Sequence, residues 1–132
     1  MSEENVNILR QGYGAFNRAD IDTVMGLMDA EIEWQEPDVE GLPQRGTHHG
    51  PEDVANNVFG AIVENWDGFQ AVPDEFLDAG DRVIVLGHFQ GRGKASGRTL
   101  DAPYAHVWTL REGKAVHFRA YADTANVLLS LG

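Results

Sequence analysis

Val6, Leu9, Tyr13 and Phe16 recur at the spacing of one helical face and predict a helix running through about Asn17. Ser2 is its expected cap, and Glu3 and Glu4 fall in the first turn, where the helix dipole favours acids. Asp20 is the next expected cap, ahead of a short apolar face of Ile21, Val24, Leu27 and Met28. Residues 31–36 alternate instead, which sets Ile32, Trp34 and Glu36 on one face of a short strand that Pro37 ends. The text of residues 38–50, DVEGLPQRGTHHG, reads as loop. Pro51 then suits the first position of a helix with Val54, Val58, Ala61 and Ile62 on its apolar stripe and Trp66 as a candidate extension.

After Gly68 the period changes to two. Strands are expected at 69–78, with Pro73 a candidate interruption, and at 82–90, 100–110 and 114–122. Gly80-Asp81, the stretch GRGKASG and Glu112-Gly113 join them, and Asp123 caps a final short helix carrying Val127, Leu128 and Leu131. Helices followed by a run of antiparallel strands imply an α+β domain, with residues 1–132 forming a single unit. A twisted antiparallel sheet with helices on one face leaves a cavity where the two layers diverge.

Alternation then sorts the side chains by face. Ile84, Leu86, His88 and Gln90 share one; Tyr104, His106 and Trp108 share one; Phe118, Ala120 and Ala122 share one. Taken as the concave faces, with Phe16 contributed by the first helix, these give an apolar pocket with polar tips at Glu36, His88, Tyr104 and His106, and Trp34 as a wall beside Glu36. A carboxylate in such a pocket gains proton affinity and can move a proton between carbons. Each tip also has a plainer reading: Glu36 as a rim carboxylate in water, His106 as a histidine bonded within the sheet, Tyr104 as a core aromatic. A one-residue slip in register would turn His88 outward.

Composition narrows the classes. The chain carries 21 acids against 10 bases, a net charge of −11, and a surface of that sign repels nucleic acid and anionic membranes. Hydrophobic residues make up 42%, enough for a packed interior. Without cysteine there is no disulfide framework, thiolate metal site or cysteine nucleophile. The acidic start MSEENVNILR does not read as a signal peptide, and the apolar runs are too short to span a membrane, so a cytoplasmic location is expected. His48 and His49, with Asp38 and Glu40 nearby, have no third ligand fixed by spacing, so no metal is expected. GRGKASG joins two strands and opens no helix, unlike a phosphate loop; no cofactor is expected either. His117, Arg119 and Tyr121 fall on the outer sheet face, a mixture that suits a homodimer interface.

The order of elements, with the segments AFNRADIDTVMGLMDAEIEWQEP, FLDAGDRVIVLGHFQGRG and HVWTLREGKAVHFRAYAD, resembles the SnoaL-like, ketosteroid-isomerase-like branch of the nuclear transport factor 2-like superfamily over nearly the whole chain. The resemblance implies a cone-shaped fold, a curved sheet and packed helices around one pocket. It also implies that Glu36, ahead of Pro37, stands where those isomerases keep a general base. Their oxyanion-binding tyrosine and acid fall at Gly12 and His106, so that site is not reproduced; the last-strand acid of polyketide cyclases and epoxide hydrolases falls at Ala120, and Asp123 in FRAYAD would take its place only if a bulge turned it to the inner face. The expectation is a cofactor-free isomerase, dehydratase or cyclase acting on a small apolar carbonyl or hydroxyl compound. Glu36 would be the base, and His106 with Tyr104 the donors. The alternatives are a non-catalytic carrier of an apolar ligand and a dimeric interaction module.

Overall fold

Our computed structural model describes residues 2–132, and the expected side-chain cap at Ser2 lies outside the described residues and side chains. The elements run α1 (Ser2–Asn17), α2 (Ile21–Gly26), β1 (Met28–Glu36), β2 (Gly46–His49), α3 (Pro51–Val54), a π-helical turn (Ala55–Phe59), α4 (Gly60–Asn65), β3 (Trp66–Ala79), β4 (Arg82–Gly93), β5 (Thr99–Arg111), β6 (Lys114–Ala122) and α5 (Thr124–Leu131). Asp20 caps α2 by accepting from the Thr23 N–H, and Asp123 caps α5 by accepting from the Asn126 N–H. Three expectations are corrected. Residues 46–49 form a strand inside the stretch read as loop, Trp66 opens β3 rather than extending the helix, and Pro73 does not interrupt β3. A register shift between Pro73 and Glu75 absorbs the proline instead.

Six strands form one sheet in the order β2-β1-β6-β5-β4-β3. Every pairing is antiparallel except β1 with β6, which is parallel. The long central strands twist, and shifts of register in β3, β1 and β6 bend the sheet. The helices α1 to α4 cover its concave side, and α5 closes the far end. Two devices fix the helices. Asn17 at the end of α1 behaves like a piece of strand: its Nδ2 donates to the Ala71 carbonyl and its Oδ1 accepts from the Ala71 N–H, both at 2.9 Å. On α5, the Ser130 hydroxyl accepts from Trp66 Nε1 at 2.8 Å and donates to the Val127 carbonyl at 2.6 Å.

The core lies between the layers and is dominated by aromatic rings. Trp34 stacks on Phe118 at 3.8 Å, and Trp108 tilts onto Phe118 at 4.5 Å. Gly87 is required where the sheet is tightest. A Cβ there would run into the Val72 carbonyl and the Tyr104 ring, so only glycine lets the tyrosine lie across β4. No helix of the described residues is long and apolar enough to cross a membrane.

Candidate functional site

The site grows from cross-strand register. Trp34 pairs with Phe118, Phe118 with Trp108, and Ala120 with His106. Continuing β1 by one residue sets Glu36 level with Ala120, so Glu36 and His106 flank a small residue, two strands apart and about 10 Å between backbones. Their side chains reach one cavity of about 80 Å³, walled by Trp34, Phe16, Phe59, Phe89, Trp108 and Phe118 among others. Leu9, Gly12 and Tyr13 close it from α1, and Val58, Phe59 and Ile62 close it from the α3–α4 segment.

Within this apolar lining the polar groups are few and specific. Trp34 Nε1 donates to Glu36 Oε2 at 2.7 Å, an (i, i+2) pair on one strand face. Glu36 is half-buried, and loss of hydration raises its carboxyl to about 7, against a smaller lowering by the Trp34 hydrogen bond. His106 is buried, and desolvation alone lowers it to about 3, so the imidazole is neutral. Its Nδ1 lies 2.6 Å from the Tyr13 hydroxyl, which accepts from Trp108 Nε1 at 2.9 Å. The tryptophan proton already occupies the Tyr13 oxygen, and Tyr13 has its own proton to place. The satisfied arrangement has Tyr13 donating to His106 Nδ1, which leaves the ring proton on Nε2. Burial raises the Tyr13 hydroxyl well above the ordinary tyrosine value and keeps it protonated. His106 Nε2 is buried with no hydrogen-bond partner. The Trp108–Tyr13–His106 chain thus fixes one tautomer and leaves a single N–H to offer.

Of the residues singled out from sequence, Glu36, His106, Trp34, Phe16, Trp108 and Phe118 line the cavity. Tyr104 shares their face but stands behind it, stacked on His106 at 3.9 Å with its hydroxyl buried and unpartnered. Ala120 and Ala122 pair with His106 and Tyr104 but do not reach the lining. Leu86 and His88 are corrected: they lie on the outer face. Val85 pairs with His106 and Gly87 with Tyr104, so Val83, Val85, Gly87 and Phe89 point inward. His88 instead bonds Asp74 at 2.9 Å across the outer surface. The run VIVL is apolar in both phases, so alternation alone could not choose between them. On the same outer side, His117 lies 2.8 Å from Gln35 Oε1, and the Arg119 guanidinium covers the exposed Tyr121 ring.

Sequence reasoning missed Tyr13 and Gln44. Tyr13 reads from sequence as one more apolar position on the α1 stripe; in the structure its hydroxyl links His106 to Trp108. Gln44 comes from the loop before β2, is 5% exposed and lines the cavity, with its Oε1 buried and unpartnered. No local pattern in GLPQRG marks it.

Known proteins give the same architecture. An NTF2-like protein of unknown function from Burkholderia pseudomallei superimposes with a TM-score of 0.90 at 29% identity, covering 97% of each chain. An NTF2-like protein from Burkholderia thailandensis is 34% identical, with a TM-score of 0.88 over 96% of this chain and 95% of that one. TerC, whose structure was determined with polyporic acid, is 26% identical, with a TM-score of 0.88 over 97% of this chain and 98% of that one. No curated protein sequence matches the chain. The model of the SnoaL-like domain matches residues 9–118, most of the sequence, and with these structures it shows that the chain belongs to the SnoaL-like domain family.

Proposed function

We propose that this chain is a single-domain, cofactor-free pocket enzyme that moves a proton on a compact, mostly apolar carbonyl or hydroxyl compound, in an isomerisation, dehydration or cyclisation. The observation that carries the reading is that Glu36 and His106 line one apolar cavity in complementary states. A carboxyl raised to about 7 is poised to take and return a proton near neutrality. A neutral imidazole with a fixed, unpartnered Nε2–H is suited to receive the oxyanion that forms when the α-proton leaves. In this scheme the Glu36 carboxylate takes the proton from carbon, the electron pair moves into the carbonyl, and the enolate oxygen accepts from His106 Nε2–H. Return of the proton from Glu36 to another carbon completes an isomerisation; in a dehydration the enolate collapses and the β-hydroxyl leaves as water with the proton held by Glu36. Tyr104 supports His106 by stacking and does not touch the substrate. TerC, a relative co-crystallised with polyporic acid, supports a ligand-binding role for this fold. The same reading puts the protein in the cytoplasm as a homodimer paired through the outer sheet face at Arg119 and Tyr121.

Exchange of butanone α-protons in D2O, followed by proton NMR, tests the step without a known substrate. Acceleration by the protein is expected, reduced by about 100-fold or more in Glu36→Gln. Full exchange activity in that variant would refute the role of Glu36. The size of the cavity favours a second reading, a dimeric interaction module with a closed pocket. At about 80 Å³ it is roughly half the ~150 Å³ hollow that admits benzene. Neither exchange nor a ketone-induced shift of the Trp34 and Trp108 indole signals is the result that reading requires. Shifts without exchange would instead mark a non-catalytic carrier.

A further inference from the structure

Among the described residues three buried side-chain polar atoms lack a hydrogen-bond partner: Gln44 Oε1, Tyr104 Oη and His106 Nε2. Two of the three belong to residues lining the one cavity that also holds Glu36. His106 enters the proton-transfer scheme as donor; Gln44 has no part in it.

The surroundings of Gln44 argue against a structural role for its amide. The backbone is held on several sides. The Leu42 N–H bonds the Val39 carbonyl, the Arg45 N–H bonds the Leu42 carbonyl, and His48 Nε2 lies 3.0 Å from the Gln44 carbonyl. Arg45 Nε donates to Asp38 Oδ1 at 3.0 Å, which closes the loop across its base. The main chain is therefore fixed without help from the side chain, while the side chain borders the cavity and its Oε1 has no hydrogen-bond partner. A buried amide oxygen without a partner is costly, and a methionine or leucine would fill the same space without that cost. The arrangement is accounted for if the partner arrives with a ligand.

We infer that Gln44 is a specificity-determining residue, and that the ligand of this cavity carries a hydroxyl group for Gln44 Oε1 in addition to the carbonyl oxygen received by His106. This rests on the pocket reading above and narrows its substrate class to compact hydroxy-ketones. The groups are complementary. Oε1 can only accept, so it selects a donor, which in a carbonyl or hydroxyl compound is an O–H. Nε2–H can only donate, so it selects a carbonyl or enolate oxygen. A ligand lacking the hydroxyl leaves Oε1 unpaired, which is how a site built around a hydrogen bond rejects an analogue without it. The volume of about 80 Å³ sets the scale at a few carbons.

Two matched ketone pairs test this: hydroxyacetone against butanone, and 4-hydroxy-2-butanone against 2-pentanone, each pair exchanging a hydroxyl for a methyl. Binding is read from the Trp34 and Trp108 indole N–H resonances, with Trp66, bonded to Ser130 outside the cavity, as the internal reference. The native protein is expected to prefer the hydroxyl member of at least one pair by about fivefold or more. In Gln44→Met and Gln44→Leu that ratio is expected to fall to about one or invert, while both variants melt at the native temperature or above it. Equal binding within both pairs by the native protein overturns the role of Gln44 and leaves the pocket reading standing. So does a preference that survives both substitutions. Absence of any shift at Trp34 and Trp108, or equal shifts at Trp66, overturns the inference together with the pocket reading.

Discussion

Glu36 makes a prediction that depends on neither substrate nor partner. Its carboxyl sits at about 7 in the folded protein, mainly because burial disfavours the ion, against 4.5 for an ordinary glutamate. Between those two values the folded state holds a proton that the unfolded chain has released. The extra stability is therefore fully present below about pH 4.5 and is lost as the pH rises through 7. At about 1.36 kcal/mol per pH unit, the span from 4.5 to about 7 corresponds to roughly 3 kcal/mol. Glu36→Gln keeps the shape, keeps an acceptor for Trp34 Nε1 and removes the titration. Urea unfolding of both proteins from pH 5 to pH 8 isolates the effect, because every other titrating group is common to both and cancels in the difference. The Glu36→Gln variant is expected to gain about 2–3 kcal/mol on the native protein across that range, with the m-value unchanged. A difference that stays flat with pH would refute the claim that the Glu36 carboxyl is desolvated. A Glu36 carboxyl carbon resonance titrating near 4.5 would refute it independently.

Three further outcomes follow from the cavity wall and the sheet. Tyr13→Phe leaves both Trp108 Nε1–H and His106 Nδ1 without a partner, and is expected to cost about 2–4 kcal/mol in chemical denaturation. The His106 ring is expected to stay neutral across pH 5 to 8, with its proton on Nε2 in nitrogen-15 spectra; a midpoint near 6.5 would contradict its desolvation. Gly87→Ala forces a methyl against the Val72 carbonyl and the Tyr104 ring, and is expected to destabilise by about 3 kcal/mol or more in thermal melts.

Much of this fold was legible because local signals agreed with one another. Asp20 and Asp123 announce helices through their capping chemistry, and β6 was readable because from Phe118 to Tyr121 buried residues alternate with exposed ones, despite the irregularity between Ala115 and His117. The (i, i+2) relation of Trp34 and Glu36 placed both on one face. Legibility failed where local pattern carries no phase. In β4 both alternating sets of VIVL are apolar, and only pairing with β5 decides that Val85 rather than Leu86 and His88 faces His106. The strand β2 is four residues long at the sheet edge, with half of its positions exposed, so no alternation in burial-prone residues signals it. Tyr13 acquires its chemistry from partners 93 and 95 residues away, and the Gln44 amide oxygen has none in the chain. Spacing along the sequence could not convey that.

The π-helical turn at Ala55–Phe59 has a consequence for how this architecture changes over generations. There the Gly60 N–H reaches the Ala55 carbonyl, five residues back, and the widened turn brings the neighbours Val58 and Phe59 to the same hollow. Such a turn is equivalent to one inserted residue, so a single codon deletion would restore a regular helix while rotating the flanking segment by about 100°. That one event would withdraw a ring from the wall and leave the sheet untouched. Descendants of a common ancestor could in this way resize the chamber by length polymorphism in one helix, without any substitution at Glu36 or His106.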